Sequence, residues 1–285
     1  MRIYRPEGPL VLALGSKRVD VTHRAIVMGI LNRTKDSFYE PAVTFDLDAF
    51  YARADDLVAD GADLLDVGGV KAGPGDEVSE QEELDRVVAV IAELTKRFDV
   101  PVSVDTWRAS VAAASFAAGA RVGNDISGFA DPEYLTVASR ANATVVATHI
   151  RLRPRVADPD PHYDDVTDTV KSFLLERRQW AYNAGLGPEQ VILDAGLDLG
   201  KTAAQSLQLL RDSDQLAGLG SPVLLSASNK TFLGKALNLE VGDRVSASHA
   251  ATAIGISLGC RIVRVHDVAG TVRVRDTIER VLEAS

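Results

Sequence analysis

Ile26-Val-Met-Gly-Ile-Leu-Asn32 is an apolar run closed by a carboxamide, and the same device recurs seven more times along the chain. Leu64–Leu65 runs into Asp66, Val102–Val104 into Asp105, Ala120–Gly123 into Asn124, and Thr144–Thr148 into His149. Val191–Leu193 runs into Asp194, Val223–Ala227 into Ser228, and Ile262–Val265 into His266. Ordinary core strands end in turn residues such as Gly, Pro or Ser. These end mainly in carboxylate, carboxamide and imidazole groups. The pattern predicts a (β/α)8 TIM barrel, whose active site is assembled from the C-terminal ends of its parallel strands.

Helical segments are expected between the runs, at approximately 46–60, 78–98, 107–118, 132–141, 163–184, 203–213, 243–259 and 271–283. Asp46 can cap the first, which Asp60-Gly61 ends. Ser79 with Glu82 forms a capping box. Phe116-Ala-Ala-Gly119 and Asn183-Ala-Gly185 close the third and fifth. Such alternation implies parallel pairing. A doubly wound open sheet is the competing arrangement, but it concentrates its site at one switch point. Eight regular units with polar strand ends favour the closed barrel. Residues 1–22 precede it as an appendage: Val11–Leu14, Gly15-Ser-Lys17 and Val19–Val21 read as a β-hairpin that could plug the bottom face. The whole chain, 1–285, reads as one domain.

The length of 285 residues suits one such barrel, typically about 250 residues. A net charge of −9 argues against broad attraction to nucleic acid or an anionic membrane surface, while leaving room for a small cationic pocket. The single cysteine, Cys260, excludes an intrachain disulfide and a multi-thiolate metal site; it opens an apolar run and should be buried. Met1–Leu10 has no apolar signal core. No apolar stretch approaches the ~20 residues of a membrane span. A cytoplasmic protein is expected.

Asp105 and Asp194 follow buried runs, where a carboxylate is costly unless it is hydrogen-bonded. With Asn124 and Lys230 they offer acceptors, a two-way amide and a cation, a set suited to a flat, nitrogen-rich heterocycle. Each Asp taken singly reads equally well as a helix cap or a strand-end ion pair. Alternation places Arg264 and His266 on one strand face, where with Asn32 they could hold a phosphate or diphosphate. The alternative for Arg264 is a buried ion pair with Asp or Glu. Gly68-Gly69 and Gly73-Pro74-Gly75 lack phosphate-loop spacing and read as hinges of a mobile loop. The five histidines are scattered, without zinc-ligand spacing. Long irregular stretches cover Asn32–Thr44, Gly68–Val78 and Ile150–His162. The first two are expected to be lids or binding loops, and the third a solvated surface excursion.

Met28-Gly-Ile-Leu-Asn-Arg-Thr-Lys-Asp-Ser-Phe38 resembles the first signature of the dihydropteroate synthase family. Asp66-Val-Gly-Gly69 with Pro74-Gly75, Ser103-Val-Asp-Thr106, Asn124-Asp-Ile126, Ile192-Leu-Asp194, Ser228-Asn-Lys230 and Arg264-Val-His-Asp-Val268 follow in the family's order. The resemblance implies a (β/α)8 barrel that joins p-aminobenzoate, an aryl amine, to 6-hydroxymethyl-7,8-dihydropterin diphosphate. It implies pterin contacts at Asp105, Asn124, Asp194 and Lys230. It implies diphosphate contacts at Asn32, Arg264 and His266, with Mg²⁺ near Asn32 and a homodimer through the outer helices. Asp36 matches the acidic residue of the first loop, and Asp105, Asp36, Arg264 and His266 would carry catalysis. Diphosphate leaves early in the family, so the task is to stabilise both the anion and the pterin-methyl cation.

Departures cluster on the aryl-amine side. The family's second loop reads Gly-Gly-Glu-Ser-Thr-Arg-Pro-Gly; here Gly68-Gly-Val-Lys-Ala-Gly-Pro-Gly75 puts Ala72 and Gly73 in place of Thr and Arg. Leu199 stands for the aromatic that packs on p-aminobenzoate, and Asn229 for an Arg. Arg33, Lys35 and Lys71 are cations the family pattern lacks, and Lys71 or Lys35 could restore part of the lost charge. Diverged members with a Val-Lys-Ala-Gly loop resemble pterin-binding paralogues without synthase activity. A pterin-dependent methyl-transfer module is a third reading, opposed by the diphosphate-type set.

Overall fold

The computed structural model describes residues 3–33 and 47–283. A hairpin of β1 (Val11–Leu14) and β2 (Lys17–Asp20) precedes eight parallel strands. These are β3 (Ile26–Asn32), β4 (Leu64–Gly68), β5 (Val102–Asp105), β6 (Val122–Asp125), β7 (Thr144–Thr148), β8 (Val191–Asp194), β9 (Val223–Leu225) and β10 (Cys260–Val265). They close in the order β10-β3-β4-β5-β6-β7-β8-β9, so the open-sheet alternative is excluded.

The strands are apolar on both faces, and their period of two sorts those faces into two cores. Met28, Leu64, Val122, Val146, Ile192, Leu224 and Ile262 point into the barrel and pack together. Val27, Leu65, Val104, Val145, Leu193, Leu225 and Val263 point outward into the apolar faces of the helices. Each fully buried Leu, Ile or Val contributes about 1.5–3 kcal/mol. Leu12, Leu14 and Val21 join the inner cluster, so the hairpin seals the N-terminal end as the sequence predicts. Thr144 Oγ1 donates to the Ala13 carbonyl across that seam. The interior is stoppered below, which leaves the C-terminal mouth for chemistry.

The helices are α1 (Leu47–Ala59), α2 (Glu80–Arg97), α3 (Ala109–Ala117), α4 (Tyr134–Arg140), α5 (Val166–Asn183), α6 (Ala203–Arg211), α7 (Ser213–Ala217), α8 (Thr231–Leu237), α9 (Val245–Ser257) and α10 (Val268–Glu283). Ser79 caps α2 by accepting from the Glu82 N–H at 3.1 Å. The Glu82 carboxylate pairs with Arg86 at 2.5 Å. Gly61, Gly119 and Gly185 adopt positive φ at the predicted helix ends. The segment expected at 203–213 divides at Asp212 into α6 and α7. α8 escapes sequence reading because it is short and contains Gly234, a poor helix former. Among the described residues no helix is long and apolar enough to cross a membrane.

Candidate active site

Two residues beyond the inner layer, the same faces of seven strands carry polar side chains. Leu64 is followed by Asp66, Ser103 by Asp105, Val122 by Asn124, Val146 by Thr148, Ile192 by Asp194, Leu224 by Ser226, and Ile262 by Arg264. The strand period therefore lifts a ring of polar side chains directly above an apolar floor.

Arg264 bridges this ring. Its Nε donates to Asp66 Oδ2 at 2.6 Å and its Nη2 to Asp105 Oδ2 at 2.8 Å. Asn124 Nδ2 donates to the same Asp66 oxygen at 3.1 Å. Asp66 is fully buried, and its Oδ1 has no hydrogen-bond partner in the protein. Burial raises the Asp105 carboxyl to about 7; Arg264 pulls it down, and Asp66 pushes it further up. Burial also works against the Arg264 cation, but Asp66 and Asp105 outweigh it and hold its pKa above the ordinary value.

Asp194 Oδ1 accepts the Gly196 N–H at 2.8 Å. Burial raises its carboxyl, against the nearby charge of Lys230. The Lys230 ammonium is lowered by burial, with Asp194 opposing, and it donates to the Leu197 carbonyl at 2.7 Å. The structure thus brings Asp105, Asn124, Asp194 and Lys230, the residues expected from sequence to face a heterocycle, to the same mouth of the barrel.

The three residues expected to grip a diphosphate stand at the ends of the neighbouring strands β10 and β3. Arg264 directs two nitrogens at carboxylates, so the buried ion pair weighed as its alternative is present. His266 stands exposed at the rim; its Nδ1 is 3.0 Å from Ser228 Oγ, and its backbone N–H donates to that hydroxyl at 3.2 Å. Crowding of the ring, with Arg264 and Arg53 nearby, holds the imidazole down to about 4. Asn32 is exposed opposite Gly68: a Cβ at Gly68 would stand 3.2 Å from Asn32 Oδ1 and 3.5 Å from Asp105 Cβ. The bare glycine thus lets both side chains approach the same spot. Asp36, Lys35 and Asp46 lie outside the described residues.

Asp66 is the residue that sequence reading passed over as a site member. Its signal was available: it stands two residues beyond inward-facing Leu64, as Asp194 stands beyond Ile192. His149 is turned to a different task. It is buried, with Nδ1 2.9 Å from Lys201 Nζ, and burial plus that neighbour lowers the imidazole to about 2. Lys201 also donates to the carbonyls of Gly196 at 2.8 Å and Leu199 at 3.0 Å, and burial lowers it to about 7 against the pull of Asp194.

Two of the departing positions, Gly73 and Asn229, have local structural accounts. A side chain at Gly73 would meet no neighbour within 4 Å, so the loop wall there is open. Asn229 has φ 56°, a conformation Asn tolerates, and its N–H donates to Ser248 Oγ at 2.9 Å. Asp198, at φ 68°, accepts the Phe232 N–H at 3.2 Å and so ties the loop after β8 to the start of α8. Cys260 is buried in β10 as expected, its thiol pushed up to about 12 by burial.

The pterin binding enzyme family matches residues 28–266 of this chain. Dihydropteroate synthase of Bacillus subtilis is 39% identical over 261 residues, which cover 91% of this chain and 89% of its own. A Mycobacterium tuberculosis protein named inactive dihydropteroate synthase 2 is 41% identical, over 90% of this chain and 82% of its own. The structure of Xanthomonas albilineans dihydropteroate synthase with 4-aminobenzoic acid superposes with a TM-score of 0.89 at 36% identity, covering 98% of this chain and 100% of that one. The resemblance carried by the seven motifs therefore extends through the sequence and the barrel alike. The chain belongs to the pterin-binding enzyme family.

Proposed function

We infer that the protein is a dihydropteroate synthase-type transferase, which condenses 6-hydroxymethyl-7,8-dihydropterin diphosphate with p-aminobenzoate or a related amine. The observation that carries this reading is the polar ring of Asp66, Asp105, Asn124, Asp194, Lys230 and Arg264 on an apolar floor. A flat heterocycle seated there meets carboxylate acceptors for its N–H groups and an ammonium for its carbonyl. Asp105, held near neutrality in its titration, sits where positive charge on the departing methylene would be stabilised. Arg264 retains Nη1 for the leaving anion, and His266 at the rim adds a ring nitrogen. Asp36 is assigned the acidic role in the first loop by family resemblance.

Among the described residues no cluster of three or more His, Cys, Asp or Glu is arranged to hold a metal. A Mg²⁺ ion would fit here as a companion of the diphosphate, with Asn32 the residue that would hold it, because Mg²⁺ commonly takes few protein ligands beside phosphates. When bound it would screen the charge of the leaving group. We assign the protein to the cytoplasm, where the Cys260 thiol stays reduced. We assign it a homodimeric state through the outer helices, where Leu207, Leu237, Val241 and Val245 expose apolar surface.

A second reading, a pterin-binding paralogue with little synthase activity, is favoured by one feature. Ala72 and Gly73 place no side-chain donor on the second loop, and the 41%-identical mycobacterial relative is named inactive. Incubation with the pterin diphosphate, p-aminobenzoate and Mg²⁺, following dihydropteroate and released diphosphate, separates the two. Turnover at family-like rates rules out the paralogue reading; pterin binding without turnover rules out the transferase.

A further inference from the structure

The stretch Ile150–His162 reads in sequence as a solvated excursion, but it touches both altered walls of the mouth. At one end Arg155 reaches the loop that follows β4. Its N–H donates to the Ala72 carbonyl at 3.1 Å, its Nη1 to the Lys71 carbonyl at 3.1 Å, and its Nη2 to the Asp76 carbonyl. A Cβ at Gly75 would stand 3.1 Å from Arg155 Nη2, so the glycine makes room for the guanidinium. Arg155 has φ 66°, a conformation uncommon outside Gly, Asn and Asp, and its tertiary bonds hold it there.

At the other end the same stretch reaches the loop after β8. Arg151 grips Asp158 with Nε and Nη2, and a Cβ at Gly200 would meet Arg151 Cβ and Asp158 Oδ2, each at 3.0 Å. Tyr163 OH donates to the Gly200 carbonyl at 2.7 Å, and Gln205 Nε2 to the Pro161 carbonyl at 3.2 Å. The loop after β4 is further fixed at its margins. Arg86 Nη1 donates to the Gly69 carbonyl at 2.6 Å and Arg108 Nη2 to the Val78 carbonyl at 2.7 Å. Carbonyls of Gly69, Lys71, Ala72, Asp76 and Val78 all accept bonds from outside the loop. That is the architecture of a fixed wall, and it differs from the hinged lid that Gly73-Pro74-Gly75 suggests in sequence.

We propose that Ile150–His162 is a bracket that fixes both second-substrate walls of this chain, and that Arg155 is the positioning residue which holds the loop 69–78 in place. The identification of those walls rests on the transferase reading above; the bracket itself rests on the bonds. In place of the lost Thr and Arg side chains, the site relies on the position of a backbone wall. Loss of Arg155 should therefore affect entry of the amine and leave the pterin pocket alone.

A nitroxide attached at Gly73→Cys tests this directly, because Cys260 is buried and position 73 has open space. With Arg155 present the label should show a slow, restricted line shape. Arg155→Ala should shorten its correlation time several-fold, and Arg155→Lys should fall between, since Lys lacks the rigid planar fork that spans the Lys71 and Asp76 carbonyls. A fast line shape with Arg155 present, or no change in Arg155→Ala, overturns the bracket. In turnover, Arg155→Ala without the label should raise KM for p-aminobenzoate by about tenfold, with kcat and pterin affinity kept. A fall in kcat at unchanged KM overturns the positioning role. If the wild-type chain makes no dihydropteroate, the transferase reading fails, and the line shape alone still decides the bracket.

Discussion

Replacing Arg264 by Met removes a cation that touches both Asp66 and Asp105, and the consequence should depend on pH. Removing one partner of a buried ion pair typically costs about 3–5 kcal/mol. Asp66 is fully buried and would keep only Asn124, at 3.1 Å, on the oxygen that Arg264 now holds. Asp105 has an escape through protonation, since its carboxyl already titrates at about 7 against an ordinary 3.8. Between about pH 4 and 7 the folded wild-type protein keeps a proton there that the unfolded chain has released. Its stability therefore falls with rising pH across that window and levels off above it. Without Arg264, whose pull lowers the Asp105 value, the folded pKa climbs further and the decline continues above pH 7. The gap between the two proteins should then widen by up to about 1.4 kcal/mol per pH unit until the new value is reached. Urea unfolding followed by circular dichroism at several values between about pH 6 and pH 9 measures the gap. A constant gap over that range would refute the reasoning, because it would mean that Arg264 does not set the charge state of Asp105.

Asp194→Asn should weaken pterin binding by ~10–100-fold, the scale of losing a hydrogen bond to a charged group; calorimetry with 6-hydroxymethylpterin reads this, and unchanged affinity would remove Asp194 from the pocket. Restoring Ala72→Thr with Gly73→Arg should raise turnover by up to ~100-fold if those contacts act in the transition state, and the open space at position 73 allows the longer side chain; no gain would show that the loop is not the limiting defect. His149 should stay neutral from about pH 8 down to about pH 4, since burial and Lys201 lower it to about 2; because the unfolded ring takes up its proton near 6.5, this residue costs stability as pH falls below that value. A nitrogen-resolved NMR titration showing a midpoint near 6.5 would break the Lys201–His149 pairing. Gly196→Ala should be strongly destabilising, because its Cβ would stand 2.0 Å from the His149 carbonyl oxygen at a φ of 63°; a melting temperature within about a degree of wild type would contradict the placement of that loop.

Much of the barrel was legible in the chain because its information is local. A period of two along each run fixes which side chains share a face, and the residues that end the runs mark the mouth. Asp105, Asn124, Asp194 and Lys230 could be read in this way, and the hairpin plug followed from a turn between two short apolar stretches. α8 was not legible, since a seven-residue segment with an internal glycine carries too little periodic signal.

What one residue does with a partner far along the chain was decided only by tertiary structure. Arg264 and Asp66 are 198 residues apart, and Arg155 and Lys71 are 84 apart. Sequence placed Arg264 at a strand end suited to an anion, but closure of the barrel brought two buried carboxylates within its reach. Opposite charges at 2.6 and 2.8 Å in a low-dielectric interior outcompete any looser arrangement. The same holds for Ile150–His162: its composition is that of a solvated loop, and only the fold supplies the backbone carbonyls that turn it into a bracket. The sequence by itself determined the barrel, the family and the polar mouth. The tertiary structure decided how those charges are paired and which loops are held, because both depend on distances that chain closure alone creates.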